Sequence, residues 1–435
     1  MLRSLNLKDQ VFLVLFSIIP ILGSLSLGLI LCFFIFLSIY FLFQKNKQPS
    51  LKLFKKIGLI FILYFLYYSI HGTFFTINFS QHIHDLGKIV PIFIIGIFAL
   101  TLQTTTFSLS YRSISNMAVW GIYLTTTLAL IFLYFEPDVS LFGEKLANKT
   151  GVVGRLEMGT GNALPFATIF ITFAFLSCLS IDKKSFLEKV LSYLALIIAL
   201  LVTIIWNGSR GPILVMLATL PLLLWYLSTL NLGKKKWFYP LFTAFVFLSV
   251  GLIVWTLYKF NFNHTLSYNV VSNMTNGIKQ LFIDGEFDGS VGTRLTLYST
   301  SLKAFSTEPL LGFGIGNIFD AIRTFLPIGK SYNYSHLHNM FLNHLIAGGM
   351  LGLPFLFALI FSPLIILKTK GHKVSNEAIY IGLLIVFVIL GTGMSNVLFF
   401  HDLLAGFFST LILLSAIALC NDQTPSKNTL KHDTD

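Results

Sequence analysis

Charge is what this sequence has least of. Only 11% of its 435 residues are Asp, Glu, Lys or Arg, against about 25% in an ordinary soluble domain, while 55% are apolar. A soluble enzyme and a disordered tail protein are both excluded, because neither tolerates that much apolar surface. Cysteine is nearly absent. Cys32, Cys178 and Cys420 each lie in or at the end of an apolar run, so no secreted disulfide scaffold and no cysteine metal cluster is encoded. The net charge of +12 does not make a nucleic-acid surface, because Lys and Arg sit in short clusters between apolar segments and form no continuous basic face.

What is abundant is long apolar sequence. A bilayer span takes about 20 residues, and apolar segments fall near 11–26, 27–44, 57–76, 88–108, 116–135, 161–181, 190–206, 211–230, 238–258, 340–367, 377–398 and 403–420. The fold class read from them is all-α, a polytopic membrane protein with about 12 transmembrane helices. The first segment runs into the second with no small-residue cleavage site and reads as an anchor. The predicted organisation is spans one to nine over 1–258, a loop domain over 259–339, spans ten to twelve over 340–420 and a cytoplasmic tail over 421–435.

Placing the N-terminus in the cytoplasm gathers Arg3, Lys8, the lysines from Lys45 to Lys56, Arg112, Lys183, Lys184, Lys189, Lys234 to Lys236, Lys368, Lys370, Lys373, Lys427 and Lys431 on one side. Outside the long loop, the other side keeps only Lys88, Lys145, Lys149, Arg155 and Arg210. This positive-inside bias predicts both termini in the cytoplasm. The 259–339 loop is too long for a connector. Within it, Leu295, Tyr298, Leu302 and Phe305 recur at helical spacing until Pro309 stops the pattern, predicting a helix that lies along the outer membrane-water boundary or caps the bundle.

Polar groups at a membrane boundary are costly and mark candidate chemistry. Of the six arginines, Arg155, Arg210, Arg294 and Arg323 fall on the outer side, against the charge bias. A guanidinium presents a planar fork suited to phosphate or pyrophosphate; the plainer alternative is snorkelling to lipid head groups. Arg210 stands in Asn207-Gly208-Ser209-Arg210-Gly211-Pro212, a turn into a helix start, where free backbone N–H groups favour an anion. Ser335-His336-Leu337-His338-Asn339 precedes the apolar run that opens Met340-Phe341-Leu342-Asn343-His344. On a helix, His336, Asn339 and Asn343 would share one stripe. A helix start disfavours the imidazolium, leaving His338 or His336 neutral and able to act as a general base. No carboxylate or cysteine stands at ligand spacing with these histidines, so no metal is assigned. Gly312-Phe313-Gly314-Ile315-Gly316 follows no strand and reads as a turn, not a nucleotide loop. Gly348 and Gly349 read as close helix packing. His401 and Asp402 receive no role.

The Gly208-Ser209-Arg210-Gly211 turn, the Arg294-Leu295-Thr296-Leu297-Tyr298 helix start, the Glu308-Pro309-Leu310-Leu311-Gly312-Phe313-Gly314 run and His336-Leu337-His338-Asn339 occur in this order. Together they resemble the O-antigen ligase and polymerase superfamily of bacterial envelope proteins, and most closely the ligases. The resemblance implies a GT-C-like glycosyltransferase of the bacterial inner membrane, with a large helical periplasmic loop between spans nine and ten. It implies an undecaprenyl-pyrophosphate-linked glycan as donor, lipid A-core as acceptor, and no cofactor. By position in the motifs, Arg210 and Arg294 correspond to pyrophosphate-binding arginines and His338 to the catalytic histidine. Arg155, in Gly154-Arg155-Leu156-Glu157, resembles a further basic position, although Gly159-Thr160-Gly161-Asn162-Ala163 replaces the Asn-Pro-Asn-like element that often follows it. His336 and Asn339 are assigned to the acceptor. The chemistry expected is metal-independent inverting transfer. An O-antigen polymerase or a protein O-oligosaccharyltransferase would carry the same motifs. A polysaccharide transporter would instead show repeated halves and mid-membrane charge, which the sequence lacks.

Overall fold

A computed structural model describes residues 6–43, 52–102, 107–135, 158, 163–207, 209–230, 237–259, 289–326, 336–369 and 374–422. Among the described residues the elements are helical. The first ones are α1 (Leu7–Ser17), α2 (Ile19–Leu22), α3 (Ser24–Phe43), α4 (Lys52–Phe75), α5 (Phe79–Thr101), α6 (Tyr111–Phe135), α7 (Ala163–Ser177) and α8 (Phe186–Leu201). A π-helical turn, Val202–Asn207, leads into α9 (Arg210–Thr229) and α10 (Phe238–Lys259). Then come α11 (Gly289–Thr307), α12 (Ile318–Arg323), α13 (Met340–Ile360), α14 (Ser362–Thr369), α15 (Asn376–Gly393) and α16 (Asp402–Asn421).

Each of the twelve apolar segments lies on helix. Nine of these helices are long and apolar enough to cross a membrane, among the described residues. The remaining three segments fall on α1–α2, α7 and α10. Helix α7 is buried along its whole length, and the apolar window of α16 is 94% buried, so these two form the centre and meet protein all round. The outer helices turn large apolar side chains outward, among them Phe36, Phe43 and Leu248, a surface that only lipid satisfies.

Helix starts follow the capping residues. Asn6 accepts from Asp9 N (2.9 Å), Asn78 from Gln81 N (3.0 Å), and Ser185 forms a reciprocal capping box with Glu188. Lys184, counted in sequence as one more cytoplasmic loop charge, is in fact buried. Its Nζ donates to Ser115 Oγ (2.7 Å), Ser177 O (2.9 Å) and Ser192 Oγ (2.6 Å), stapling α6, α7 and α8. Burial holds its ammonium down to about 8.

The long-loop helix exists as expected, but its predicted stripe splits between two faces, with Tyr298 and Phe305 packed against the core. Leu297, Ser301 and Ala304 of α11 are buried, whereas Leu295 and Leu302 are exposed. In a membrane protein small residues pack against helices and leucines face outward, so apolar spacing alone does not single out the buried face. Helix α11 packs on α13.

Helix α13 is broken. Gly349 has φ 57° and ψ −161°, about 14 Å along the axis from Met340. The Glu308–Gly314 run lies in the break and takes over its backbone pairing. Phe313 N donates to Ile346 O (2.8 Å), Gly314 N to Ala347 O (2.9 Å), Met350 N to Pro309 O (2.9 Å) and Leu351 N to Leu310 O (3.2 Å). Irregular backbone at membrane depth survives only when protein satisfies it this way. Gly348 does pack closely, against Tyr67 and Tyr68, but a β-carbon on Gly349 would strike the Leu310 carbonyl. The Gly312–Gly316 turn is thus more than a connector between loop helices. We expect Gly349→Val to destabilise the protein by at least about 1–2 kcal/mol, the cost of a left-handed φ before any clash. Gly28→Ala, in open space, should be neutral. Thermal unfolding of both variants in detergent, alongside wild type, checks the contrast.

Candidate functional site

The site forms at the end of the bundle where α13 begins and α15 ends. Asn339, extended at φ −149° and ψ 118°, caps α13 by accepting from Leu342 N (3.0 Å). The helix therefore starts after the histidines, and the helical stripe of His336, Asn339 and Asn343 does not form. A folded-back arrangement replaces it: Asn343 Oδ1 accepts from Leu337 N (3.2 Å), pinning the histidine turn onto α13. His338 has φ 53°, a left-handed conformation costing a non-glycine residue about 1 kcal/mol. His336 and His338 stand side by side, ring centroids 4.4 Å apart and tilted by 68°.

Helix α11 brings in Arg294 and Tyr298, one turn apart on one face. Tyr298 Oη donates to His338 O (3.2 Å) and to Met394 O (3.3 Å). Asn339 Nδ2 also donates to Met394 O (3.4 Å). The Met394–Asn396 turn after α15 is a hub, since Gly211 packs so closely on Ser395 that a β-carbon at 211 would collide with Ser395 Oγ. Arg210, the first residue of α9, is therefore next to this turn along the chain; its side chain lies outside the described residues. Ser209 N is held by Asn207 Oδ1 (3.1 Å). Arg155 lies outside the described residues altogether. Three sequence motifs thus meet around one turn: Ser209–Gly211, Arg294–Tyr298 and His336–Asn339.

Other sequence candidates fall elsewhere. Arg323 pairs with Asp320 (3.0 Å) on the surface. His344 is a packing residue: Nε2 meets Tyr64 Oη (2.7 Å), Nδ1 meets Met340 O (2.7 Å), and the ring stacks on Phe400 at 4.4 Å.

Two groups missing from the sequence reading of the site are Asp85 and Lys88 of α5. They pair at 2.5 Å, and Gln81 Nε2 donates to Asp85 Oδ2 (2.9 Å). Both line a cavity of about 20 Å³ with His336, Asn343 and Phe400. Lys88 was visible as an outer-side lysine three residues after an aspartate, a pairing signal the charge tally did not use. His401 is another omission, since its charge also acts on His336.

The electrostatics favour neutral imidazoles. Burial pushes His336 down to about 3, helped by the charges of His338, Lys88 and His401. Burial and then the Arg294 guanidinium push His338 below 6.5. At neutral pH both rings keep a lone pair. His338, beside the fixed cation of Arg294, has the protonation state that proton abstraction requires. Because the folded-state values are depressed, this neutral pair is fully compatible with the fold above pH 6.5. It opposes the fold as acid protonates the unfolded chain more readily than the folded one. An NMR titration of labelled histidine should place the His338 midpoint below 6.5 and that of His336 lower still; a midpoint of His338 above 6.5 would contradict the assignment.

A family model described as O-Antigen ligase matches residues 194–358, from within α8 to within α13. The match takes in the Arg210 turn, α11 and the His336–Asn339 segment. Over that stretch the chain is similar to the O-antigen ligase family. The apolar helices agree with a multi-pass membrane protein. No curated protein matches the chain.

Proposed function

From a chain whose residues 194–358 match the O-antigen ligase family, we propose an O-antigen ligase. It transfers a glycan from undecaprenyl pyrophosphate to a hydroxyl of lipid A-core, at the periplasmic face of the bacterial inner membrane, with both termini cytoplasmic. The observation that carries this reading is the meeting of the arginine and histidine motifs at the Met394–Asn396 turn.

A diphosphate is already a good leaving group. The protein has only to hold its developing charge and to take the proton from the attacking hydroxyl. His338 removes that proton as the acceptor oxygen bonds to the anomeric carbon from the face opposite the diphosphate. The bond from the anomeric carbon to the bridging oxygen breaks, its electron pair stays on the diphosphate, and the sugar inverts. Arg294 and Arg210 receive the diphosphate, and Arg155 contributes at its entrance. His336 and Asn339 position the acceptor. No step requires a metal.

His338→Ala should lower transfer by about 10²–10⁴-fold while the protein still accumulates in the membrane. Arg294→Lys, which keeps the charge but loses the planar fork, should lower kcat/KM by about tenfold or more. Purified full-length protein with lipid-linked glycan, core acceptor and chelator measures both. Full activity of His338→Ala would remove it from the mechanism. In a deletion strain the proposal expects bare core with intact lipid-linked polymer; core bearing a single repeat would mean a polymerase instead.

A further inference from the structure

At the opposite end of the bundle, α1 and α6 border a groove of about 910 Å³, remote from the histidines and independent of the proposed transfer. Along α6 its wall is a ladder at four-residue intervals: Arg112, Asn116, Trp120 and Leu124. Each step rises about 6 Å on one helix face. The ladder passes from cation to amide to indole to aliphatic side chain, with Leu13 and Ile18 of α1 opposite.

Two of its groups are incompletely used by the protein. Asn116 is 6% exposed and lines the groove, yet its side-chain amide has no hydrogen-bond partner among the described residues. Opening onto the groove, that amide is available to a ligand carbonyl, a hydrogen bond worth about 0.5–1.5 kcal/mol. Arg112 meets both Glu188 oxygens through Nη2 alone, at 2.9 and 2.7 Å, so Nη1 and Nε take no part in that pair. The mouth of the groove therefore offers a cation and an anion side by side. Trp120 is 62% exposed and stands about 12 Å along the helix from Arg112, at the depth of acyl chains.

We propose that this groove binds one zwitterionic glycerophospholipid with a primary-ammonium head. The phosphate takes Arg112, the ammonium takes Glu188, and a glycerol-ester carbonyl takes Asn116 Nδ2. The acyl chains run along Trp120, Leu124, Leu13 and Ile18. Opposite charges at the mouth complement a head group that carries both signs. A purely anionic head would bring its charge against Glu188, and a quaternary ammonium has no N–H to donate to it. The glycerol sets the ester carbonyls about a helical turn below the phosphate, matching the step from Arg112 to Asn116.

The test places the full-length protein in phosphatidylcholine nanodiscs doped with phosphatidylethanolamine brominated on its acyl chains. Trp120 emission is read as the difference between wild type and Trp120→Phe. Quenching of Trp120 should saturate at a low mole fraction of brominated lipid. Asn116→Leu should raise the half-saturating fraction about threefold or more, and brominated phosphatidylglycerol should need a comparably higher fraction in wild type. The proposal fails if wild-type quenching rises linearly with mole fraction, as bulk lipid alone would give. It fails also if a folded Asn116→Leu matches wild type, or if phosphatidylglycerol saturates first. The wild-type curves decide by themselves if the variant does not accumulate.

Discussion

A helix inside a bilayer ordinarily satisfies its own backbone, and α13 does not. At Gly349 its ladder opens and the Glu308–Gly314 run supplies the missing partners. Much of the architecture at this end of the bundle follows from the exchange. It anchors the end of α11 to the interior of α13, so Arg294 and Tyr298 cannot drift from the histidine turn that precedes the same helix. Tyr298 then closes the arrangement by bonding both the His338 carbonyl and the turn after α15.

The candidate site is built largely from residues that fix backbone. Asn339 ends the loop and starts the helix, Asn343 reaches back to Leu337, and Gly211 allows the α9 turn to sit on Ser395. Together they hold His338 in a left-handed conformation, and burial beside a guanidinium keeps its ring uncharged. The electrostatic state of His338 is therefore a product of packing.

Twelve helical segments were legible in sequence because the bilayer imposes length and polarity on every span. The His336–Asn339 segment and Arg294 were legible because polar groups at a membrane boundary are costly and so stand out. Three features were not. The expected stripe of α11 split, because Leu295 and Leu302 look like core positions beside Tyr298 and Phe305 until lipid is counted as a partner. The stripe through His336, Asn339 and Asn343 dissolved, because an asparagine that caps a helix cannot also lie within it. Asp85 and Lys88 join the site across some 250 residues of chain, a proximity that no local spacing encodes.

The open ladder of α13 also limits how this protein can be recombined with its relatives. Strand-like pairing between Pro309–Gly314 and Ile346–Leu351 makes loop and helix one unit of inheritance. A chimaera that takes the loop from one parent and the helix from another must recreate two matched glycines, Gly312 and Gly349, in register. Exchanging the whole stretch from Pro309 to Leu351 keeps that register, whereas a graft ending at the head of the helix would leave its partner strand foreign.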